Sequence, residues 1–335
     1  MAETPLPLLL TLGDPCGIGP EIVVRAVQAG DARGCVVVGD AGVLRRAMAL
    51  VGRSWPIALL DRATDVAGCP PRCMPLLKSP SFGGLAGLPW GRVDARAGAA
   101  AAAWITRAVE AVQRGEAGGV VTAPVHKEAL SAAGVPFPGH TEMLQSLSSR
   151  DGTAPPVRMM LANPELKVVL VTIHVALRRA LELLDFDAVL STLRIAHAAA
   201  ARWGQAAPRI AVAGLNPHAG EGGLFGDEEL RYIGPAIQAA RAEGIDAQGP
   251  FPPDTVFMRA RRGAFDLVVA MTHDHGLIPV KYLGVEDGVN VTLGLPFVRT
   301  SPDHGTAFDI AGRGVADASS LVAAIRMARR LAGGG

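Results

Sequence analysis

The stretch Lys167-Val-Val-Leu-Val-Thr-Ile-His174 is a short apolar run that ends in a histidine, and runs of this kind form buried β-strands. A longer helical pattern follows at 186–202, and a second apolar run comes at 210–213. A strand, a helix and another strand in this order form the unit of a parallel sheet that is covered by helices. The same alternation continues along most of the chain, and we therefore expect an α/β protein with a mostly parallel sheet.

The other predicted elements extend this pattern in both directions along the chain. We expect strands at 8–12, 35–38, 119–122, 167–173, 210–213, 267–271 and 290–293. We expect helices at 21–29, 41–51, 97–113, 186–202, 227–241 and 316–331. Pro and Gly cluster from 69 to 91, which predicts a long loop or a small irregular excursion. The alanine-rich stretch 97–103 predicts a helix face of small side chains that packs closely against another element.

The length of 335 residues is enough for two domains of about 150 residues each. Breaks rich in Pro and Gly at 134–139 and 276–279 divide the chain. We therefore expect a discontinuous first α/β lobe, residues 1–135 with 280–335, and a second α/β lobe, residues 136–279.

Composition and charge exclude several classes of partner. Lys plus Arg number 32 and Asp plus Glu 31, so the net charge of +1 gives no general attraction for nucleic acid. No apolar run reaches the roughly 18 to 20 residues that cross a bilayer, and the first residues lack the positive charge of a secretory signal. Four scattered cysteines fit a reducing compartment. We expect a cytoplasmic protein that binds neither nucleic acid nor membrane.

Three of the eight histidines, His174, His218 and His273, come at the ends of apolar runs. In an open α/β sheet ligands bind beyond the carboxyl ends of the strands, so we expect these imidazoles to converge on one cleft or one interface. Three imidazoles leave a coordination position open, which suits a catalytic divalent cation. A single histidine in such a place more often caps its strand by hydrogen bonding, but the shared position of three favours the metal. Asp274 is a further ligand candidate, or a partner that orients the ring of His273.

His140 and Thr141 lie in a Pro-Gly-His-Thr-Glu turn that opens a helix. The free backbone N–H groups and the Thr hydroxyl at such a turn can receive an anion. The alternative is that Thr141 is only the N-cap of the helix, with Glu142 nearby, and the sequence does not separate the two.

Lys281, Asn290 and Arg299 follow the third of these histidines at short intervals. Only four of the 32 basic residues are lysines, so Lys127 and Lys281 stand out. A cation, an amide and a guanidinium fit a small anionic substrate, because Arg binds carboxylate or phosphate with two hydrogen bonds. Surface ion pairs are the competing explanation for each of these residues alone.

Several long motifs follow one another along nearly the whole chain. They are Gly-Asp-Pro-Cys-Gly-Ile-Gly-Pro-Glu at 13–21, Pro-Val-His-Lys at 124–127, Gly-His-Thr-Glu at 139–142, Asn-Pro-His-Ala-Gly-Glu-Gly-Gly at 216–223 and the tract 290–314. In this order they resemble the 4-hydroxythreonine-4-phosphate dehydrogenase family of the pyridoxal phosphate pathway. The resemblance implies the isocitrate/isopropylmalate dehydrogenase-like fold, with two α/β lobes and the active site in the cleft between them.

The resemblance also implies roles for the candidate residues. His174, His218 and His273 would bind the divalent metal, with the ligands shared between the two subunits of a homodimer. The second lobe would carry most of these ligands and the dimer interface. The implied substrate contacts are His140, Thr141, Lys281, Asn290 and Arg299. Lys281, as a proton relay or an anion contact, and Asp274 are the catalytic candidates.

The activity that the resemblance implies is a metal-dependent oxidation by NAD or NADP. The substrate would be 4-phosphooxy-L-threonine, and the β-keto acid product would lose carbon dioxide to give 3-amino-2-oxopropyl phosphate. Ligation by nitrogen alone favours zinc over magnesium, manganese or cobalt. NAD and NADP both stay open, because the turn at 13–21 lacks the third glycine of the dinucleotide fingerprint.

Two departures from the family pattern bear on the substrate: His275 stands where Gln is usual, and Ala123 where Gly is usual. A dehydrogenase of a phosphorylated four-carbon sugar acid, or of an aromatic cis-dihydrodiol, is the close alternative. A phosphate acyltransferase, which shares the general fold and needs no metal, is the alternative from another class.

Overall fold

A computed structural model describes residues 5–137, 139–149, 151–284 and 287–333 of the chain. These residues fall into two compact units. Unit 1 contains the described residues up to Pro156 together with Leu295–Gly333, and unit 2 is Val157–Gly294.

Short strands alternate with helices in both units. The strands are β1 (Leu8–Thr11), β2 (Cys35–Val38), β3 (Ile57–Leu60), β4 (Met74–Leu77), β5 (Gly119–Thr122), β6 (Arg158–Ala162), β7 (Lys167–Leu170), β8 (Ile210–Ala213), β9 (Ala247–Phe251), β10 (Leu267–Ala270), β11 (Val289–Leu293) and β12 (Val298–Pro302). The α-helices are α1 (Gly19–Ala29), α2 (Ala41–Leu50), α3 (Ala95–Gln113), α4 (Lys127–Ala132), α5 (His140–Leu147), α6 (Leu177–Leu183), α7 (Phe186–Arg202), α8 (Gly234–Ala242), α9 (Val256–Arg261), α10 (His273–Tyr282) and α11 (Ser319–Gly333).

In unit 1 the strands follow the order β3-β4-β2-β1-β5-β12, and the described pairings are all parallel. Every residue of β1, β2 and β5 is buried, as expected of parallel strands that are covered on both faces. Helix α3 packs against β1 and β5, and its Trp104 is fully buried.

In unit 2 the order is β11-β6-β7-β10-β8-β9. The strands from β7 to β9 run parallel, whereas β6 is antiparallel to both of its neighbours. The core on one face combines strand residues such as Val168 and Leu170 with Phe257 of α9 and Leu277 of α10. The prediction of an α/β protein with a mostly parallel sheet is therefore confirmed in both units.

Each predicted strand is present, but the sequence pattern missed β3, β4, β6, β9 and β12. The predicted loop at 69–91 is wrong at β4, which reads Met-Pro-Leu-Leu. A proline also lies in β9 and in β12, and a residue without a backbone N–H argues against a strand when only the sequence is seen.

The helix predicted at 227–241 is divided in the structure. A π-helical turn covers Glu229–Ile233, and α8 begins only at Gly234. Pro235 follows directly and has no N–H for the regular hydrogen bond to residue 231, which explains the change of helix type at this point.

The unit boundaries also differ from the predicted lobe boundaries. Residues 136–156 belong to unit 1, where α5 packs against α3. Residues 280–294 belong to unit 2, because β11 pairs with β6 in a register that sets Val289 opposite Ala162. Pairing between strands so distant in the chain has no local sequence signal. Among the described residues, no helix has both the length and the apolar composition that crossing a bilayer requires.

The alanine-rich face of α3 packs closely against α4. Gly98 lies so near to α4 that a Cβ atom placed on it would come 2.0 Å from the carbonyl oxygen of Ala129. The neighbouring Ala97, Ala100 and Ala101 are also buried. The predicted close contact of this face is confirmed, and α4 is its neighbour.

Replacing Gly98 by alanine tests this contact. Alanine favours a helix over glycine by up to about 1 kcal/mol, but the added methyl group must displace the backbone of α4. Such overpacking costs about 1–3 kcal/mol, so we expect the free energy of unfolding, measured by denaturant titration, to fall by about 1 to 2 kcal/mol. Gly68→Ala is the matched control, because nothing lies within 4 Å of its added Cβ. Equal stability of the two variants would contradict the prediction.

Candidate active site

The start of α5 in unit 1 exposes backbone donors. The helix begins at His140, and its N-cap is Gly139, which has no side chain that could accept a hydrogen bond from the first turn. The first N–H groups of the helix therefore suit an anion. Thr141 lies inside the first turn, so the alternative in which Thr141 is the N-cap is wrong.

Arg299 places a buried guanidinium in the same unit. It lies on β12, opposite Val120 of β5, and only 3% of it is exposed. Its Nη2 donates a hydrogen bond of 2.7 Å to Oγ1 of Thr122, the last residue of β5. Burial lowers the pKa of Arg299 to about 10, against the raising effect of the Glu142 carboxylate. Arg299 therefore stays charged at neutral pH.

His140 lies close to this guanidinium and is neutral. Its Nε2 is buried and has no hydrogen-bond partner among the described residues. Burial, helped by the positive charge of Arg299, holds the pKa of His140 well below the usual 6.5. A neutral imidazole can still donate one N–H to an anion without adding a second buried cation.

Lys127, the first residue of α4, borders the turn that precedes His140. Its Cε is 3.8 Å from the position that a Cβ on Gly139 would take. Together, the start of α5, Arg299, His140 and Lys127 form what we call the anion site of unit 1. Among its members the sequence analysis assigned His140, Thr141 and Arg299 to the substrate, and the structure brings these three to one place.

In unit 2, His174 and His273 form a second group, which we call the histidine pair. They follow β7 and β10, which are parallel neighbours and so end at the same edge of the sheet. Beyond the strands, Oγ1 of Thr172 donates to the carbonyl oxygen of Met271 at 2.8 Å and ties the two chain segments together. The ring centroids of the histidine pair are 5.6 Å apart, with the planes tilted by 49°.

Asp274 orients one ring of the pair. Its Oδ1 lies 2.7 Å from Nδ1 of His273. With Nδ1–H donating to the carboxylate, Nε2 of His273 keeps its lone pair for a ligand. A cavity of about 410 Å³ borders the pair and is lined by Thr272, Asp274 and His275 as well. His275, the departure noted in the sequence, therefore faces the same space.

His218 is not part of the pair. It follows β8, the other neighbour of β10, but it lies in an exposed turn, where its ring centroid is 6.0 Å from that of Phe225. Over the described ranges, no three side chains of His, Cys, Asp or Glu are close enough together to hold a metal ion. The single chain thus brings together two of the three predicted imidazoles.

The remaining candidates of unit 2 lie away from the pair. Lys281 is near the end of α10, eight residues after His273, a rise of about 12 Å along the helix. Asn290, the second residue of β11, is half-buried and lies opposite Leu161 of β6.

Thr122, the hydrogen-bond acceptor that fixes Arg299, was not among the residues predicted from the sequence. A signal for it was present, because Thr122 is a polar residue at the carboxyl end of a buried strand, the same position that singled out the histidines. The partner could not be predicted, since Arg299 is 177 residues further along the chain.

Comparison with known proteins identifies a family that matches most of this chain. The family described as pyridoxal phosphate biosynthetic protein PdxA matches residues 31–328. A 4-hydroxythreonine-4-phosphate dehydrogenase of Beijerinckia indica subsp. indica is 56% identical over 326 residues, 97% of this chain and 95% of that protein. A D-threonate 4-phosphate dehydrogenase of Pectobacterium atrosepticum is 46% identical over 329 residues, 97% of this chain and 99% of that protein.

A solved structure shows the same fold. The crystal structure of 4-hydroxythreonine-4-phosphate dehydrogenase from Klebsiella pneumoniae superposes with a TM-score of 0.90 and 43% identity, covering 99% of each chain. The expectation that the chain shares the α/β fold of 4-hydroxythreonine-4-phosphate dehydrogenases is therefore confirmed. The match over most of the chain, the high identity and the shared fold together show that this chain belongs to the family of pyridoxal phosphate biosynthetic protein PdxA.

Proposed function

We propose that the protein is a metal-dependent dehydrogenase that oxidises the secondary hydroxyl of 4-phosphooxy-L-threonine with NAD or NADP. The resulting β-keto acid would lose carbon dioxide and leave 3-amino-2-oxopropyl phosphate. The observation that carries the proposal is the anion site, where a buried Arg299 and a neutral His140 meet the uncapped start of α5. This arrangement suits the phosphate of a small substrate.

In this proposal each residue of the anion site has a distinct task. Arg299 supplies a fixed positive charge, and Thr122 holds its guanidinium in place at 2.7 Å. The side chain of His140 and the start of α5 at Thr141 donate hydrogen bonds to the phosphate. Lys281 and Asn290 would complete the substrate contacts, with Lys281 Nζ carrying a proton or binding the substrate's anionic group.

The divalent metal would be held by His174, His218 and His273. The imidazole side chains suit a divalent cation, because imidazole nitrogen is a good ligand for zinc. The hydrogen bond between Nδ1 of His273 and Asp274 leaves Nε2 of His273 available to bind the metal. A bound cation would supply Lewis-acid chemistry, lowering the pKa of a neighbouring hydroxyl group and stabilising negative charge as it develops. Nitrogen ligation favours zinc among the divalent metals.

The nicotinamide cofactor would bind in unit 1. Oδ2 of Asp14 and Nδ1 of His126 are buried without a partner among the described residues, just beyond the carboxyl ends of β1 and β5. Such positions bind nucleotides in α/β enzymes. The His126 ring also stacks on Phe308 at 4.5 Å, which gives the site a rigid wall. When bound, NAD or NADP accepts the hydride.

We also propose a homodimer in the cytoplasm, with the metal ligands shared between subunits. Large apolar side chains are exposed on unit 2, among them Tyr282, which is 90% exposed, and Leu224, which is 72% exposed. Tyr282 and Ile278 also line an apolar cavity of about 620 Å³. Exposed apolar patches of this kind are typical of interfaces.

The few cysteines are free thiols, as in a reducing compartment.

The second candidate substrate is D-threonate 4-phosphate. It is favoured by the relatives of that name at 46% identity, and the anion site would bind its phosphate equally well. An aromatic cis-dihydrodiol has no phosphate for Arg299, and a phosphate acyltransferase has no use for the histidine pair.

Reduction of the cofactor tests the proposed activity. Purified protein with Zn²⁺, 4-phosphooxy-L-threonine and NAD or NADP is expected to produce reduced nicotinamide, followed by its absorbance. Removal of the metal by a chelator, or the change His273→Ala, is expected to abolish the reaction. His197→Ala, on α7 outside the site, is the matched control and should keep full activity.

Parallel assays with D-threonate 4-phosphate, a cis-dihydrodiol, and an acyl phosphate with coenzyme A separate the alternatives. Nicotinamide reduction with the sugar acid alone would reassign the substrate. Acyl transfer that survives metal removal would overturn the proposal.

Removing the Thr122 hydroxyl tests its role behind Arg299. Thr122→Val keeps the side-chain volume but removes an acceptor of a charged donor, so we expect the KM for the phosphorylated substrate to rise about tenfold, with a smaller change in kcat. Thr122→Ser should restore the KM.

The control is Thr300→Val on the opposite face of β12, where the hydroxyl donates to the carbonyl oxygen of Ala324 at 2.8 Å. This change also removes a buried hydrogen bond, so a similar rise in KM would show that the effect at Thr122 is one of general stability.

The low pKa of His140 predicts a pH dependence of stability. Below pH 6.5 the unfolded chain binds a proton at His140 that the folded chain does not, so the free energy of unfolding falls as the pH falls. The loss reaches at most about 1.4 kcal/mol for each pH unit. The measurement is the free energy of unfolding of the wild type and of His140→Asn over a range of pH. As the pH falls, we expect the free energy of unfolding of the wild type to decrease relative to that of His140→Asn. A constant difference across pH would contradict a depressed pKa.

A further inference from the structure

The turn that carries His218 has an unusual backbone. Residues 218–222 all have positive φ, and three of them are not glycine: His218 at 54°, Ala219 at 55° and Glu221 at 43°. The left-handed conformation costs a non-glycine residue about 1–2 kcal/mol. Such a segment persists only where its surroundings fix it firmly.

The carboxylate of Glu229 is what fixes this turn. Glu229 is only 4% exposed. Its Oε1 accepts the backbone N–H groups of Leu215 at 2.7 Å and of Asn216 at 2.8 Å. Its Oε2 accepts from Nδ2 of Asn216 at 2.9 Å. Hydrogen bonds to an ionised acceptor are roughly twice as strong as neutral ones, so one side chain holds both residues that lead into the turn.

Two glycines let the carboxylate come this close. A Cβ on Gly214 would lie 3.0 Å from Oε1 of Glu229, and a Cβ on Gly220 would lie 2.8 Å from Oε2. The carboxylate therefore fills the space inside the turn and contacts both its entry and its middle. Gly220 has a φ of 80°, so its lack of a side chain serves the backbone conformation as well.

Glu229 is itself held on a packed element. It begins the π-helical turn Glu229–Ile233, which packs against α7 and continues into α8. Ile233 at the end of that turn is fully buried. The carboxylate of Glu229 thus connects a packed helical element to the turn that carries His218, a predicted metal ligand.

We propose that Glu229 is a positioning residue, whose buried carboxylate holds the left-handed turn and so presents His218 to the metal before the metal binds. Glu229 is not a ligand in this proposal, because its oxygens are engaged by backbone and amide donors. The inference rests on the proposed function, in which His218 binds the divalent metal.

Metal affinity is the property to measure. Zn²⁺ binding to the purified full-length protein is determined by competition with a chromophoric chelator, and the visible spectrum of the Co²⁺-loaded protein reports the ligand geometry. For Glu229→Gln we expect at least about tenfold weaker Zn²⁺ binding and an altered Co²⁺ spectrum, as for other residues that orient metal ligands. Asp227→Asn, which changes an exposed carboxylate that pairs with Arg231 on the surface, is the control and should bind as the wild type does.

A double-mutant cycle with His218→Ala shows whether Glu229 acts through His218. If it does, Glu229→Gln has no further effect on Zn²⁺ affinity once His218 is alanine. The same loss of affinity in both backgrounds would overturn the proposal, as would wild-type affinity and spectrum in Glu229→Gln alone.

Three outcomes have different consequences. If Glu229→Gln does not give a native near-ultraviolet circular dichroism spectrum, Asn216→Ala carries the test, since it removes one of the three hydrogen bonds to Glu229; unchanged Zn²⁺ affinity would then overturn the proposal. If the unaltered protein binds no metal, the proposed function falls and the role of Glu229 with it. If the unaltered protein binds metal through His218 and Glu229→Gln binds equally well, only the role of Glu229 falls.

Discussion

Parallel pairing is the constraint on which both groups of candidate residues depend. Parallel strands that are neighbours end at the same edge of a sheet, so the residues that follow them come together whatever the length of chain between them. In unit 2, the pairing of β7 with β10 brings His174 and His273 within 5.6 Å, measured between ring centroids. In unit 1, parallel pairing acts within the strands: it sets Arg299 of β12 opposite Val120 of β5, two residues before Thr122, although Arg299 and Thr122 are 177 residues apart in the sequence.

The same constraint explains what the sequence could predict. A strand that ends in a histidine is a local pattern, and with the strand-end rule it was enough to find both members of the histidine pair. The pattern also gave most of the strands that are rich in Val, Ile and Leu. It failed for β4, whose second residue is proline, and for β9 and β12, in which proline accompanies polar residues. It failed as well for the largely apolar β3 and β6, which contain no proline. The pairing of β11 with β6 was hidden as well, because it joins distant segments, and for that reason the boundary of unit 2 differs from the predicted lobe boundary.

Residues that act by holding other residues were not predictable in this way. Thr122 acts through Arg299, and Glu229 acts through two backbone N–H groups and one amide, and no local pattern shows these partners. The run of glycines after His218 indicated a left-handed turn, but three of the positive φ values in this turn belong to residues other than glycine.

The two groups of candidates also differ in electrostatics. In the anion site Arg299 is buried and charged and His140 is neutral, whereas in the histidine pair His174 is exposed and His273 is partly exposed.

The contact between Gly98 and the backbone of α4 limits how unit 1 can move. No side chain lies between α3 and α4 at this point, so there are no flexible atoms whose rearrangement could accommodate a tilt of one helix relative to the other. Lys127 opens α4, so its backbone is coupled to a helix of 19 residues. Any displacement of the Lys127 ammonium group must therefore either extend the lysine side chain alone or shift both helices as a rigid body, and the first response is far less costly.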